Sequence, residues 1–370
     1  MKRFRPLLFF ALFIGILTAA NIYLASRFNF YFGFENKGFL NIIFPALTAL
    51  MIFGVIPFSN STRKAAHLIY ISAATIMGLL LFLVLSVLLV DFIDLFADFS
   101  PKTAGLIALS ITFLVSIYGI LNSWNVQVTK QEIGINRLRK EIKAIHLSDI
   151  HIGHFRGKKF LQKIVEKTNR QKADVVFITG DLFDGRINLN KEELEPLTHL
   201  NAPVYFVEGN HDKYTGVETI KNFLRELNVT VLENEMVNFN DVQIIGLNHM
   251  RADNKSFNMH ASANGSTIKS TLENLNIYKN KPSVLLHHSP DGIQYASEHN
   301  IDLYLCGHTH AGQLFPIKYL ANLIFDYNRG LHHFNGTRIF VSQGAGTFGP
   351  PMRVGTKSEI TLITLKPSLP

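Results

Sequence analysis

A single cysteine, Cys306, stands in the 370 residues. One thiol excludes an intrachain disulfide framework. It closes the apolar run "LYLC" and reads as a small buried hydrophobe rather than a nucleophile. Charge is also scarce, 17% of residues against 47% hydrophobic, which is apolar for a soluble enzyme. Internal repeats and low-complexity tracts are missing. Histidine is nearly absent from the first third: of 15, only His67 precedes residue 125. Greasiness and chemistry are therefore segregated, and the length suggests two domains. The net charge of +8 divides evenly, since residues 1–124 carry eight basic and four acidic side chains. No Arg/Lys stripe with interleaved aromatics occurs, so nucleic acid is not an expected partner. A basic balance beside a membrane favours anionic head groups, and membrane lipids are the expected surroundings.

Four apolar stretches fill residues 1–124, roughly Leu7–Leu24, Phe39–Phe58, His67–Val90 and Ala104–Leu121. Each is near the ~20 residues needed to cross a bilayer. The expected division is a transmembrane bundle over 1–124 and a second domain over 125–370. The first stretch also has the form of a signal peptide, with Lys2, Arg3 and Arg5 leading into it. Basic residues at Lys2–Arg5, Arg63–Lys64 and Arg137–Lys143 alternate with connections holding Asp91, Asp94 and Asp98, or Arg27, Glu35 and Lys37. Positive flanks favour the cytoplasmic side, so the expectation is a multi-pass protein of the cell (inner) membrane with its second domain cytoplasmic.

Beyond Val126 the pattern changes to strands alternating with helices. "AIHLSD", "DVVFITGD", "PVYFVEGN", "VQIIGLN", "SVLLHH", "LYLCGH", "RIFVSQG" and "EITLITL" read as strands. "KKFLQKIVEKTN" and "GVETIKNFLREL" have helical spacing. That order argues for an α/β fold. Five fragments at or near strand ends carry the polar residues: "SDIHIGH" (Ser148–His154), "GDLFD" (Gly180–Asp184), "GNHD" (Gly209–Asp212), "LLHHSPD" (Leu285–Asp291) and "GHTH" (Gly307–His310). They supply Asp, His and Asn in the number two divalent ions require. If strand geometry persists to its end, Asp149 and His151 face the same way, as do His308 and His310.

This ordered set, over roughly Ile142–Leu365, resembles the calcineurin-like metallophosphoesterase superfamily. The ending "GHTHAGQ", "SQGAGTFGPPMRV" and "SEITLITL" resembles its membrane-associated bacterial branch, with Ala311 where that branch usually has Gly. The resemblance implies a four-layer αββα sandwich of two packed mixed sheets. It implies one ion held by Asp149, His151, Asp181 and His310, and a second held by Asp181, Asn210, His288 and His308, with Asp181 bridging. His288 is preferred to His287 because the family places this ligand two residues before a proline, here Pro290. Mixed imidazole and oxygen donors point to Mn, Fe or Zn. By the same resemblance His211 meets the phosphoryl group and Asp212 holds its ring, while Asp184 supports the shell. His154, His249, Arg251 and Gln313 are the candidate substrate contacts.

The expected activity is hydrolysis of a phosphodiester or pyrophosphate bond by a membrane-anchored enzyme. The substrate is phosphorylated, and a lipid-linked one such as UDP-2,3-diacylglucosamine would explain the anchor. Soluble phosphodiesters or nucleotides are the alternative, and a non-catalytic nucleotide-binding module is a third reading. The apolar segment Leu314–Phe325 beside the last motif is either a core helix or a greasy lip for bilayer or acyl chain.

Overall fold

The structure is a computed structural model that describes residues 5–256 and 265–368. Lys2 and Arg3, and residues 257–264 of the polar stretch after Asn248, lie outside the described residues. The chain divides into two compact units. One comprises Met1–Ser59, Arg63–Leu121 and Gly349–Met352; the other comprises Asn60–Thr62, Asn122–Phe348 and Arg353–Pro370.

The first unit is built from the helices Arg5–Phe32, Lys37–Val55, Lys64–Ala97 and most of Pro101–Trp124. Long runs of apolar residues without interior charge clusters favour helices whose backbone groups bond internally, the requirement inside lipid. Among the described residues four segments are long and apolar enough to cross a membrane: Ala11–Phe32, Gly38–Phe58, Lys64–Ala97 and Pro101–Trp124. Leu24, Phe44, Val87, Val90 and Ala108 form the centre of their packing. Arg27 and Asp91, expected in connections between spans, instead lie within helices, because those helices run past the apolar stretches. Asp91 accepts from the hydroxyls of Tyr23 (2.5 Å) and Tyr31 (2.6 Å) and pairs with Arg27.

The second unit holds two six-stranded sheets. The first has the order Gln127–Ile135, Glu359–Pro367, Ile142–Leu147, Val175–Thr179, Val204–Val207 and Thr230–Val231. The second runs Gly330–Phe334, Thr337–Val341, Leu303–Cys306, Ser283–Leu286, Val242–Gly246 and Glu235–Phe239. The central strands of each pair in parallel, so their C-terminal ends point the same way. Phe177, Tyr205 and Ile363 of the first sheet pack with Val284, Leu305 and Phe340 of the second. Helices Lys158–Asn169 and Val217–Glu226 cover the outer face of the first sheet through Phe160, Ile164, Ile220 and Leu224. Helices Ile268–Asn274 and Ile293–Glu298 cover the second. The result is helix, sheet, sheet, helix, with strand ends from both sheets converging on one edge.

Candidate metal centre

Every polar fragment follows the C-terminal end of a parallel strand. Ile142–Leu147 delivers Asp149 and His151, Val175–Thr179 delivers Asp181, and Val204–Val207 delivers Asn210 and His211. Ser283–Leu286 delivers His288, and Leu303–Cys306 delivers His308 and His310. This edge is where open α/β sheets put their ligand sites. Strand alternation does not aim these side chains, because the strands have already ended. Asp149, His151, Asp181, His308 and His310 all adopt positive φ, between 49° and 72°. Non-glycine residues in that region are strained, and such strain clusters at functional sites. Each residue turns sharply off its strand and throws its side chain across the sheet edge. Two glycines make room. A Cβ at Gly307 would overlap Ser148 Oγ and Asp149 Oδ2, and one at Gly209 would overlap Asp181 Oδ1.

Among the described residues the donors form three overlapping clusters, of which His151, Asp184 and His211 make one at the mouth and the other two hold the expected Asp and His ligands. In the first of these two groups, His310 Nε2 lies 3.4 Å from Asp149 Oδ1 and 3.1 Å from His151 Nε2. In the second, His288 Nε2 lies 3.1 Å from Asp181 Oδ2 and 3.2 Å from His308 Nδ1. Asp181 Oδ2 is also 3.8 Å from His151 Nε2, so one carboxylate oxygen faces both groups. Several remaining atoms of these side chains are engaged, whereas His151 Nδ1 has no hydrogen-bond partner within the protein. Ser148 Oγ and the His308 N–H donate to Asp149 Oδ2, and the His211 N–H donates to Asp181 Oδ1. His288 Nδ1 donates to Thr179 O at 2.8 Å, which leaves Nε2 with its lone pair toward the centre. Asn210 Oδ1 is buried and has no hydrogen-bond partner within the protein.

Divalent ions fit this arrangement. Donors ~2.1 Å from a common ion lie ~3.0–3.4 Å from one another; two pairs in each group have that spacing, and Asp149 Oδ1 and His151 Nε2 are wider, at 4.0 Å. Ring nitrogens of His151 and His310, and of His288 and His308, face each other 3.1–3.2 Å apart, within hydrogen-bond reach, and both pairs point into the centre. Asp149, Asp181 and Asp212 bring three buried carboxylates to one edge, with the half-buried Asp184 beside them. Without cations their charge unsettles the titrating groups. Burial, against the pull of His288, pushes Asp149 up to about 6. Asp181, although buried, is held well below the usual carboxylate range by His288 and His211. Burial opposes charge on His288 too, but the Asp181 carboxylate pushes it up to about 10. Burial lowers His151 to about 4 and takes His310 well below its ordinary value.

His211 stands outside both groups, partly exposed at the mouth. Its Nδ1 meets Asp184 Oδ1 at 3.0 Å. Burial opposes its charge, but Asp181 and then Asp184 raise it to about 9. The expectation that Asp212 holds this ring is therefore corrected. Asp212 Oδ1 accepts from the N–H groups of Leu182 (2.9 Å) and Phe183 (3.0 Å), and Oδ2 accepts from Gly209 N–H (2.9 Å). Its neighbour in sequence points outward while Asp212 points under the loop, because the helix Asn210–Thr215 begins there and turns successive side chains apart.

Of the adjacent histidines, His288 joins the second group and His287 does not. His287 Nδ1 donates to Ser289 O (2.8 Å), and its Nε2 accepts from Met250 N–H (3.4 Å). The expected substrate contacts are largely redirected. His249 is buried, its ring stacked 5.7 Å from His287 and edge-on to His288 at 5.5 Å, so it backs the second group. Both ends of the Gln313 amide are used by the Phe348 backbone, Nε2 donating to its carbonyl and Oε1 accepting from its N–H, each at 2.9 Å. Arg251 donates to Asn254 Oδ1 within its own loop, and His154 is buried. The exposed side chains at the mouth are ones that motif reading passed over. Phe348 stands edge-on to His211 at 4.9 Å, and Tyr214 does so at 5.8 Å. The buried Arg353 was also missed. It places Nη2 3.1 Å from His310 Nδ1 and ties the loop together by donating to Gly346 O (2.8 Å).

A family model described as calcineurin-like phosphoesterase matches residues 142–312. An uncharacterized metallophosphoesterase of Aquifex aeolicus is 32% identical over 268 residues, 69% of this chain and 98% of the relative. One from Helicobacter pylori is 38% identical over 246 residues, 65% of this chain. A zebrafish (Danio rerio) protein described as a transmembrane protein with metallophosphoesterase domain is 32% identical over 282 residues, 70% of this chain. The matched region spans 64% of the Helicobacter relative and 62% of the zebrafish one. The chain belongs to the calcineurin-like metallophosphoesterases.

Proposed function

We propose that this protein is a membrane-anchored, two-metal phosphoesterase that hydrolyses a phosphodiester or pyrophosphate bond. The observation that carries the reading is the pair of donor groups sharing Asp181 Oδ2. Asp149, His151, Asp181 and His310 would hold one ion and Asp181, Asn210, His288 and His308 the other, with Mn, Fe or Zn suited to the mixed donors. Two such ions supply charge stabilisation for phosphoryl oxygens and a nucleophile from water near neutral pH. The protein's own part is positional and protonic. Asp184 fixes the His211 ring through Nδ1, so Nε2 is the atom left to carry a proton to the leaving oxygen. Phe348 and Tyr214 flank that ring and limit the approach of solvent.

The four bilayer-length segments support a multi-pass membrane protein. Arg63, Lys64 and Arg137–Lys143 lie at connections on one side of an even number of spans, which supports a cytoplasmic catalytic unit. A reporter active only outside the membrane, fused after Pro370, should stay silent; strong signal would put the substrate outside. For the activity, full-length protein is stripped of metal and reloaded singly with Mn²⁺, Fe²⁺ or Zn²⁺. It is then assayed against bis-p-nitrophenyl phosphate, p-nitrophenyl phosphate and UDP-2,3-diacylglucosamine. Metal-dependent turnover of the diester or the pyrophosphate is expected. No turnover with any metal would make the protein a binding module.

A further inference from the structure

The motif His310–Gly312 leads directly into a short helix, Ile317–Ile324. Its sequence, "IKYLANLI", fits either a core helix or an exposed lip. The structure exposes it. Ala321 is its one buried residue, while Tyr319 and Leu320 are open, Leu323 is 84% exposed and Ile324 74% exposed. Phe315, just before the helix, is exposed as well. The helix is fastened rather than loose. Phe315 N–H donates to Val354 O (2.8 Å), and Thr309 Oγ1 donates to Asn328 O (2.6 Å), closing the loop at its base. Phe325, at its end, lies edge-on to His308 at 5.9 Å. A fixed apolar knob thus stands on the rim of the metal centre. Contiguous exposed apolar surface on an otherwise well-packed domain marks a docking site.

We infer that Ile317–Ile324 inserts into the surface of the bilayer that the chain's own apolar helices occupy, so that the centre works on phosphoesters carried by membrane lipids. This rests on the membrane-anchored phosphoesterase reading above. Two observations select the bilayer as occupant. Among the described residues the same chain carries four segments of bilayer length, so an apolar phase is at hand. The helix's one charge is Lys318, whose ammonium lies over the rings of Tyr319 (5.0 Å) and Phe315 (5.9 Å). A cation above apolar and aromatic side chains is the composition of an interfacial helix meeting anionic head groups. Lys318 is half-buried; Arg329 adds an exposed cation and Asp326 one exposed anion in the segment that follows.

The test uses the full chain in vesicles of phosphatidylethanolamine and phosphatidylglycerol. A fluorophore is placed on Leu323→Cys, with Lys172→Cys as control; the native Cys306 is buried and stays unlabelled. Lipids brominated along the acyl chain should quench the label at position 323 and leave that at 172 unchanged. In parallel, Leu320→Ser with Leu323→Ser should raise KM about tenfold for a diacylglycerol-linked p-nitrophenyl phosphodiester in vesicles. The same pair should leave bis-p-nitrophenyl phosphate turnover and the thermal midpoint unchanged. No quenching overturns the inference. So does efficient disulfide capture between two Leu323→Cys copies without quenching, which makes the face a dimer contact. Failure of the phosphoesterase reading shows separately, as absent turnover on the soluble diester while quenching persists.

Discussion

The two units use charge differently. In the N-terminal helices Arg27, Tyr23 and Tyr31 converge on one part-buried carboxylate, Asp91, although Arg27 Nε has no hydrogen-bond partner. In the sandwich, the carboxylates and rings at the strand ends are left with demands the protein does not meet. Asn210 Oδ1 and His151 Nδ1 have no hydrogen-bond partner within the protein, and burial opposes charge on both Asp149 and His288. Buried polar groups in proteins are normally satisfied, and exceptions need a reason. The network around Asp91 joins helix to helix. The one around Asp181 gathers donors from several strand ends and suits a cation.

Asp181→Asn should do the most damage. It removes the charge shared by both groups, so turnover should fall by more than the ~10–100-fold typical of altering a ligand's support, and at least one ion should be lost. His211→Gln should follow at ~10²-fold in kcat, the scale of general acid–base help, with metal content intact. Its deficit should shrink for substrates with good leaving groups, and a full rate on a poor leaving group would sink the role. Asp212→Ala should act on stability instead. Each N–H of Leu182, Phe183 or Gly209 left unpaired costs about 1–3 kcal/mol, read as a lowered thermal midpoint.

Asp184→Asn should have a smaller effect with a distinctive sign. Asp181 and Asp184 raise the His211 pKa. Removing one anion lowers it, so the proton is lost at lower pH and the alkaline limb of the rate profile should move down. An unmoved limb would detach Asp184 from His211. Arg27→Met should change least at the centre. It opens the Asp91 network and should weaken the helical unit in detergent unfolding while leaving metal content per chain unchanged. A loss of metal there would mean that the contrast between the units is false.

The sequence made the donor list legible because His, Asp and Asn recur at the ends of apolar strands, and the proline after His288 separated it from His287. What it hid were directions. Asp184 and Asp212 look alike in a motif, and only the turn at Gly209 and the helix after it decide which one reaches His211. Strand alternation grouped Asp149 with His151 for a reason that does not hold, since both lie beyond Leu147 at positive φ. The strand Gln127–Ile135 escaped notice because it is an edge strand, half polar, and lacks an apolar run. Arg353 and the exposure of Ile317–Ile324 were hidden for the same reason: composition says what a segment contains, and only the fold says what covers it.

Metal content per chain tests the central claim most directly. Full-length wild type, purified and loaded with Mn²⁺, Fe²⁺ or Zn²⁺, then freed of excess, should retain two ions by elemental analysis. His287→Phe should retain two, and Asp181→Asn and His288→Phe should retain no more than one. Two ions kept by Asp181→Asn with full turnover, or fewer than two in the wild type with every metal offered, would contradict the account of a pair of sites joined by one carboxylate.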